Sequence, residues 1–164
     1  MMDILLKQQT VLVIRALYFC MEKKWSELEK RFNLSTAQQH ILFLLATNES
    51  VLSPTQLSEL GCWHISTVTR LLKPLQEKGF IQLTVNKDKR RYKQVTITVK
   101  GKQVLNQIMD AVRDMEQFPF SLSHFSEGEL KAFLDYGQRI LGIQKGDQFR
   151  KMLQEARVKN YDYA

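Results

Sequence analysis

The sequence predicts a mainly α protein with a small β-hairpin. Three observations carry this reading. Two helical patterns are separated only by the turn Gly61 to His64. The apolar period changes from helical to alternating just after Gly79. Helical apolar patterns flank this middle region on both sides. Together they describe a winged helix-turn-helix with additional helices before and after it. The expected division is residues 1–34 for the N-terminal helix, 35–101 for the winged helix-turn-helix, and 102–164 for the C-terminal helices and tail.

Residues 3–32 read as one long helix. Leu6, Val13, Leu17, Cys20, Met21, Trp25, Leu28 and Phe32 recur at roughly helical spacing. Apolar residues here are denser than a single stripe needs, so this helix wants more than one neighbour. Ser35-Thr36-Ala37-Gln38 is a capping box that opens a helix through Ala46, with Ile41, Leu42, Leu44 and Leu45 as its buried face. Ser53-Pro54-Thr55-Gln56 repeats the signal, with Pro54 suited to a first helical position. That helix is expected to stop at Gly61 in left-handed geometry. The next runs from Ile65 to Lys78 and stops at Gly79. Its Ile65, Val68, Leu71, Leu72 and Leu75 are expected to face inward. Pro74 either kinks this helix or confines groove entry to its first part.

Phe80 to Val85 and Gln94 to Val99 alternate like strands. Between them, Asn86 to Lys93 form a polar, mostly basic tip, the wing. A helix from Lys102 to Glu116 follows, striped by Val104, Leu105, Ile108, Val112 and Met115 and broken near Pro119. Ser126-Glu127-Gly128-Glu129 is a third capping box, opening a helix through Leu141. A last helix spans about Gln148 to Val158.

Charge narrows the function. The 164 residues carry a formal net charge of +7. Ser53 to Lys100 holds nine basic residues against three acids, a net +6 that leaves the flanking helices nearly neutral. Double-stranded DNA is the polyanion this predicts, bound in a salt-dependent way. On the outer side of the Ile65–Lys78 helix lie Ser66, Thr67, Arg70 and Lys73. Short hydroxyls allow close approach to base edges, and Arg70 suits a bidentate contact with guanine. Ser53 and Thr55, at a helix start, are expected on the DNA backbone. In the wing, Lys87, Asp88, Lys89, Arg90 and Arg91 are the candidates. Arg90 is expected in a narrow minor groove, with Asp88 orienting its guanidinium.

Other chemistry finds little support. There is no nucleophile elbow, phosphate-binding loop, glycine-rich dinucleotide turn or zinc-protease motif, so the chain is not expected to be an enzyme and no cofactor is called for. Cys62 and His64 lack the further ligands of a zinc site, so no metal is expected. Cys20 reads as a buried apolar residue and Cys62 as an exposed one. Lys7, Gln8, Gln9 and Arg15 interrupt the apolar N-terminus, which predicts no membrane partner and a cytoplasmic location. A winged-helix module for protein or RNA is the contrasting expectation.

Several strings resemble a known family. These are LSTAQQHILFLLA (Leu34 to Ala46), LSPTQLSELG (Leu52 to Gly61), HISTVTRLLKPLQEKGFI (His64 to Ile81), DKRR (Asp88 to Arg91) and TVKG (Thr98 to Gly101). In this order they resemble the MarR family of bacterial regulators across nearly the whole chain. His40 to Leu42, the turn Gly61 to Thr67 and the DKR string also resemble its Hpr branch, whose members repress genes. The resemblance implies a homodimer joined by the first and last helices. The apolar residues on those helices that would serve as dimerisation contacts are Leu6, Val13, Leu17, Leu105, Ile108, Val112, Phe133 and Leu141. It further implies a repressor of a pseudo-palindromic operator and, as in many members, a small-molecule effector that releases DNA. His64 stands where many members carry Asp at the helix start, which weakens the expected cap.

Overall fold

The structure is a computed structural model, and it describes residues 1–85 and 93–164. The elements in chain order are α1 (Ile4–Phe32), α2 (Thr36–Thr47), β1 (Val51–Leu52), α3 (Pro54–Gly61), α4 (Ile65–Glu77), β2 (Ile81–Val85), β3 (Lys93–Ile97), α5 (Val99–Arg113), α6 (Glu127–Lys145) and α7 (Asp147–Glu155). All three capping boxes form: Ser35 with Gln38, Ser53 with Gln56, and Ser126 with Glu129. Each serine hydroxyl accepts an otherwise unpaired backbone N–H, and each N3 side chain accepts the N–H of its own cap.

The core belongs to the middle of the chain. Ile41, Leu42 and Leu45 of α2 are fully buried with Leu57 of α3 and Val68, Leu72 and Leu75 of α4. Ile81 of β2 and Val95 and Ile97 of β3 close it from the sheet side. The antiparallel sheet has the order β1-β3-β2, with Leu83 opposite Val95 and Leu52 opposite Val95 on the other side. The short strand β1 was not anticipated, because two residues carry no readable period. Leu105 and Ile108 of α5 were expected on a dimer face. They are instead 2% and 4% exposed within this core. Their stripe on α5 is the face that covers α2, so it is satisfied inside one chain.

The second strand is shorter than its sequence pattern. It ends at Ile97, and Thr98 caps α5. The Thr98 hydroxyl accepts from Gly101 N at 3.0 Å and donates to the Gly79 carbonyl at 2.7 Å. Val99, expected in the strand, therefore begins a helix and lies exposed. Side-chain capping outweighs β-branched propensity here. The later helices also shift: α6 continues to Lys145, and α7 lies from Asp147 to Glu155.

The termini lie outside the core. From Ile4 to Phe19, α1 is exposed except at Leu17, and it meets the core only through Leu28 with Trp25 and Phe32 beside it. Cys20 is exposed, against the expectation of burial; with Leu17 it lines a recess shared with Phe120, Phe125 and Phe133 rather than the core. α6 has no buried residue. An 18-residue window in α1 has mean hydropathy 1.3. By length and composition alone it would suffice to cross a bilayer, a test that apolar helices of soluble proteins also pass.

Gly101 tests this description. A Cβ there would sit 2.2 Å from the Phe80 carbonyl oxygen, a backbone atom with little freedom to withdraw. Gly101→Ala is expected to destabilise the folded chain by about 1–3 kcal/mol. A urea-unfolding midpoint equal to that of the parent would show that the α5 start does not approach β2 so closely.

Candidate nucleic-acid interface

Helix α4 is sorted by burial. Val68, Leu72 and Leu75 are inward, while Ser66, Thr69, Arg70 and Lys73 are exposed. These four positions follow helical spacing and form one outer stripe. Thr67, expected on it, is half-buried, and Thr69 takes the outer place. Thr69 could have been found by helical spacing, since it lies three residues after Ser66 and four before Lys73. Ile65, expected inward, is 48% exposed. It opens the helix one turn ahead of the core and lines a groove with Pro54, Thr55, Gln56, Thr69 and Lys93. Thr55 is exposed at the start of α3. Ser53 is buried, and its hydroxyl accepts from Gln56 N at 3.1 Å, so its oxygen serves the helix rather than the surface.

The turn between α3 and α4 is built by close approach. Cys62 takes the left-handed conformation (φ 58°, ψ 37°), not Gly61, which remains helical. Trp63 N donates to Ser58 O at 3.0 Å and Cys62 N to Glu59 O at 3.4 Å, the paired bonds of a Schellman end. Gly61 is needed for a different reason. Its absent Cβ would lie 2.2 Å from the Trp63 ring. The Ser58 hydroxyl donates to Trp63 O at 2.6 Å and fixes the exit. His64 occupies the N-cap of α4 and makes no side-chain cap bond.

α4 runs on through Pro74 to Glu77. The proline removes only the N–H that would have reached the Arg70 carbonyl, and the helix continues past it. Gly79 (φ 76°) then turns the chain into β2.

Residues 26–92 match the family model described as MarR family. This segment is similar to the MarR family. Over 106 residues the chain is 31% identical to the HTH-type transcriptional regulator Hpr of Geobacillus thermodenitrificans, covering 65% of this chain and 52% of that protein. The chain thus spans about half the length of the curated relatives it matches. The crystal structure of the transcriptional regulator BldR from Sulfolobus solfataricus superposes with a TM-score of 0.74 at 28% identity, covering 87% of this chain and 99% of that one. The S. aureus MepR–DNA complex gives 0.70 at 22% identity, covering 81% and 96%, and shows likeness of fold. The MarR family is one of transcriptional regulators and not of enzymes.

The winged-helix region also spends charge internally. Lys78 Nζ donates to the Asn33 carbonyl at the end of α1, and Lys100 Nζ donates to the Lys78 carbonyl at 2.8 Å. Two of the nine basic residues counted from sequence therefore tie α1, α4 and α5 together. Arg70, Lys73 and Lys93 remain exposed, and Lys93 lines the groove. The wing candidates Lys87, Asp88, Lys89, Arg90 and Arg91 lie outside the described residues. Among the described residues, no group of three or more His, Cys, Asp or Glu side chains could hold a metal ion.

Behind the turn lies an aromatic cluster that sequence reading missed. His40 meets Trp25 edge-on at 5.9 Å and Trp63 at 5.6 Å, and stacks on Phe43 at 6.4 Å. Trp25 Nε1 donates to Gln39 Oε1 at 2.9 Å, and Gln39 Nε2 donates to Leu34 O at 2.9 Å. The cluster joins α1, α2 and the helix-turn-helix turn. Burial among these rings holds the His40 imidazole below its ordinary value of 6.5.

A lowered value in the folded chain means that the unfolded chain binds the proton more readily. Stability is then full above the unfolded value and falls as pH drops below it. The urea midpoint is expected to be lower at about pH 5.5 than at about pH 7.5, with His40→Phe flattening that difference. An identical pH profile in the variant would show that His40 contributes no such linkage.

Proposed function

We propose that this chain is a sequence-specific, DNA-binding transcription regulator that acts as a homodimeric repressor. The observation that carries the reading is the exposed stripe of Ser66, Thr69, Arg70 and Lys73 on the second helix of a helix-turn-helix, beside a strongly basic hairpin sequence. Such a helix reads base edges in the major groove, while wing arginines reach the minor groove. In this reading α4 lies in the groove, with Arg70 on a guanine and Lys73 on the flanking phosphates. Thr55 and Lys93 approach the backbone, and Arg90 and its neighbours form the wing contact. A DNA partner implies a cytoplasmic site of action.

The homodimer is supported by surface area. The chain exposes 11924 Å², against about 8,400 Å² expected of a compact 19.2 kDa monomer. The excess lies on the arms: Leu6 and Val13 of α1 and Phe133 and Leu141 of α6 are exposed, and Leu17 is half-buried. Val112, half-buried at the end of α5, borders them. A water-exposed apolar surface of this extent marks an association face. This assigns the apolar window of α1 to a partner chain rather than to a bilayer. Two lobes related by a two-fold axis then read half-sites about one helical turn apart, a pseudo-palindrome. Val13→Glu combined with Phe133→Glu is expected to shift the species seen by analytical ultracentrifugation from twice 19.2 kDa to 19.2 kDa. A parent that already sediments as a monomer at micromolar concentration would remove the dimer from this account.

DNA binding is tested by fluorescence anisotropy on duplex DNA from upstream of the chain's own gene, at two salt concentrations and with excess nonspecific competitor. Arg70→Ala is expected to cost about 1–3 kcal/mol at one base pair of each half-site. Arg90→Ala is expected to weaken binding to all duplexes and reduce the salt slope by about one. Loss spread evenly over all sequences in Arg70→Ala would assign that residue to phosphate instead. Binding erased by competitor in the parent would favour a protein or RNA partner. Adding a simple phenol to the same titration examines the effector implied by the resemblance.

A further inference from the structure

We infer that residues 156–164 form a strap that locks the α6–α7 hairpin to the winged lobe, so that the two move as one body. The strap leaves helical geometry at Ala156 (φ −62°, ψ 106°). Val158 then enters the core of the lobe and is 6% exposed, against a recess lined by Ala46, Ser50 and Leu105. Asn160, in the left-handed region (φ 61°), reverses the chain. Tyr161 Oη donates to Asp110 Oδ1 of α5 at 3.0 Å, and Val158 N donates to Tyr163 Oη at 2.9 Å. The Arg157 guanidinium lies 5.1 Å from the Tyr163 ring centroid, and the Tyr161 and Tyr163 rings meet edge-on at 5.1 Å. A segment with a buried anchor, a bond to another element and its own internal packing is held in place.

The other end of the strap is equally fastened. Arg150 of α7 pairs with Asp135 of α6 at 3.5 Å, and Gln154 Nε2 donates to Gln138 Oε1 at 3.3 Å. Gly142 admits the Arg150 stem, which a Cβ would meet at 3.1 Å. Yet α7 does not pack tightly on the lobe it overlies. A cleft of about 540 Å³ separates Phe149 and Met152 from Leu52 and Leu60. Neither α6 nor α7 has a buried residue. The strap, rather than the face of α7, makes the joint. Resting on the proposed dimer, this joint sets the angle between each lobe and the arm that α6 helps to build.

Hydrogen exchange on the full chain tests the strap without DNA. In Val158→Asp, which would bury a charge, the anchor is expected to leave the core. Exchange across residues 147–164 should then accelerate by about tenfold or more, with α3 and α4 within about twofold of the parent. Tyr161→Phe, which removes one hydrogen bond and little else, should give a smaller acceleration confined to the same residues. Unchanged protection of 147–155 in both variants would overturn the strap. So would acceleration of α3 and α4 in step with α7, which would make Val158 an ordinary core residue. A second measurement compares operators whose half-sites are moved apart by one base pair. The parent is expected to discriminate against them more strongly than Val158→Asp. Equal discrimination would overturn the orienting role. A parent that binds no duplex would instead sink the functional reading, and the exchange result would still judge the strap.

Discussion

Burial of one face of α4 is the constraint on which the rest depends. Val68, Leu72 and Leu75 must leave water together, and they do so against Ile41, Leu42 and Leu45, Leu57 and the sheet residues Ile81 and Val95. Once that face is committed inward, helix geometry commits Ser66, Arg70 and Lys73 outward. The candidate interface is the unburied remainder of a helix whose orientation the core decides. Pro74 fits this logic. It removes one hydrogen bond, and the helix holds because its inner side is clamped on both flanks of the proline.

Joints between elements use backbone close to backbone. Gly61 leaves room for the Trp63 ring, and Gly101 leaves room for the Phe80 carbonyl. The Lys78 and Lys100 ammonium groups bind carbonyls at the ends of α1 and α4. These contacts seat the α3–α4 turn and connect α4 with the start of α5 and the end of the N-terminal arm. The His40 cluster adds an apolar link between the same arm and the same turn. The arm and α4 are thus joined through packed rings and the Lys78 hydrogen bond.

Much of the fold was legible locally. Capping boxes at Ser35, Ser53 and Ser126 mark helix starts without reference to the rest of the chain, because the bonds span three residues. The alternation after Gly79 marked the hairpin for the same reason. What could not be read depended on distant partners. Thr98 looks like a strand residue until its hydroxyl is placed on Gly79 and Gly101. Ser53 looks available to DNA until its cap closes over it. Leu105 and Ile108 form an apolar stripe like those of α1 and α6, and nothing local says that theirs is already covered.

The sequence by itself determined the order of the longer elements, the helix starts capped by Ser35, Ser53 and Ser126, the inner positions Val68, Leu72 and Leu75, and the concentration of positive charge between Ser53 and Lys100. Each follows from short-range hydrogen bonding, periodicity or composition. Tertiary structure alone decided which apolar stripes are satisfied within one chain and which basic residues stay free. It also decided that Thr69 rather than Thr67 stands outward, and that the segment after α7 returns to the core. Those outcomes depend on which surfaces meet across long stretches of chain, and burial is a property of the meeting rather than of either stretch alone.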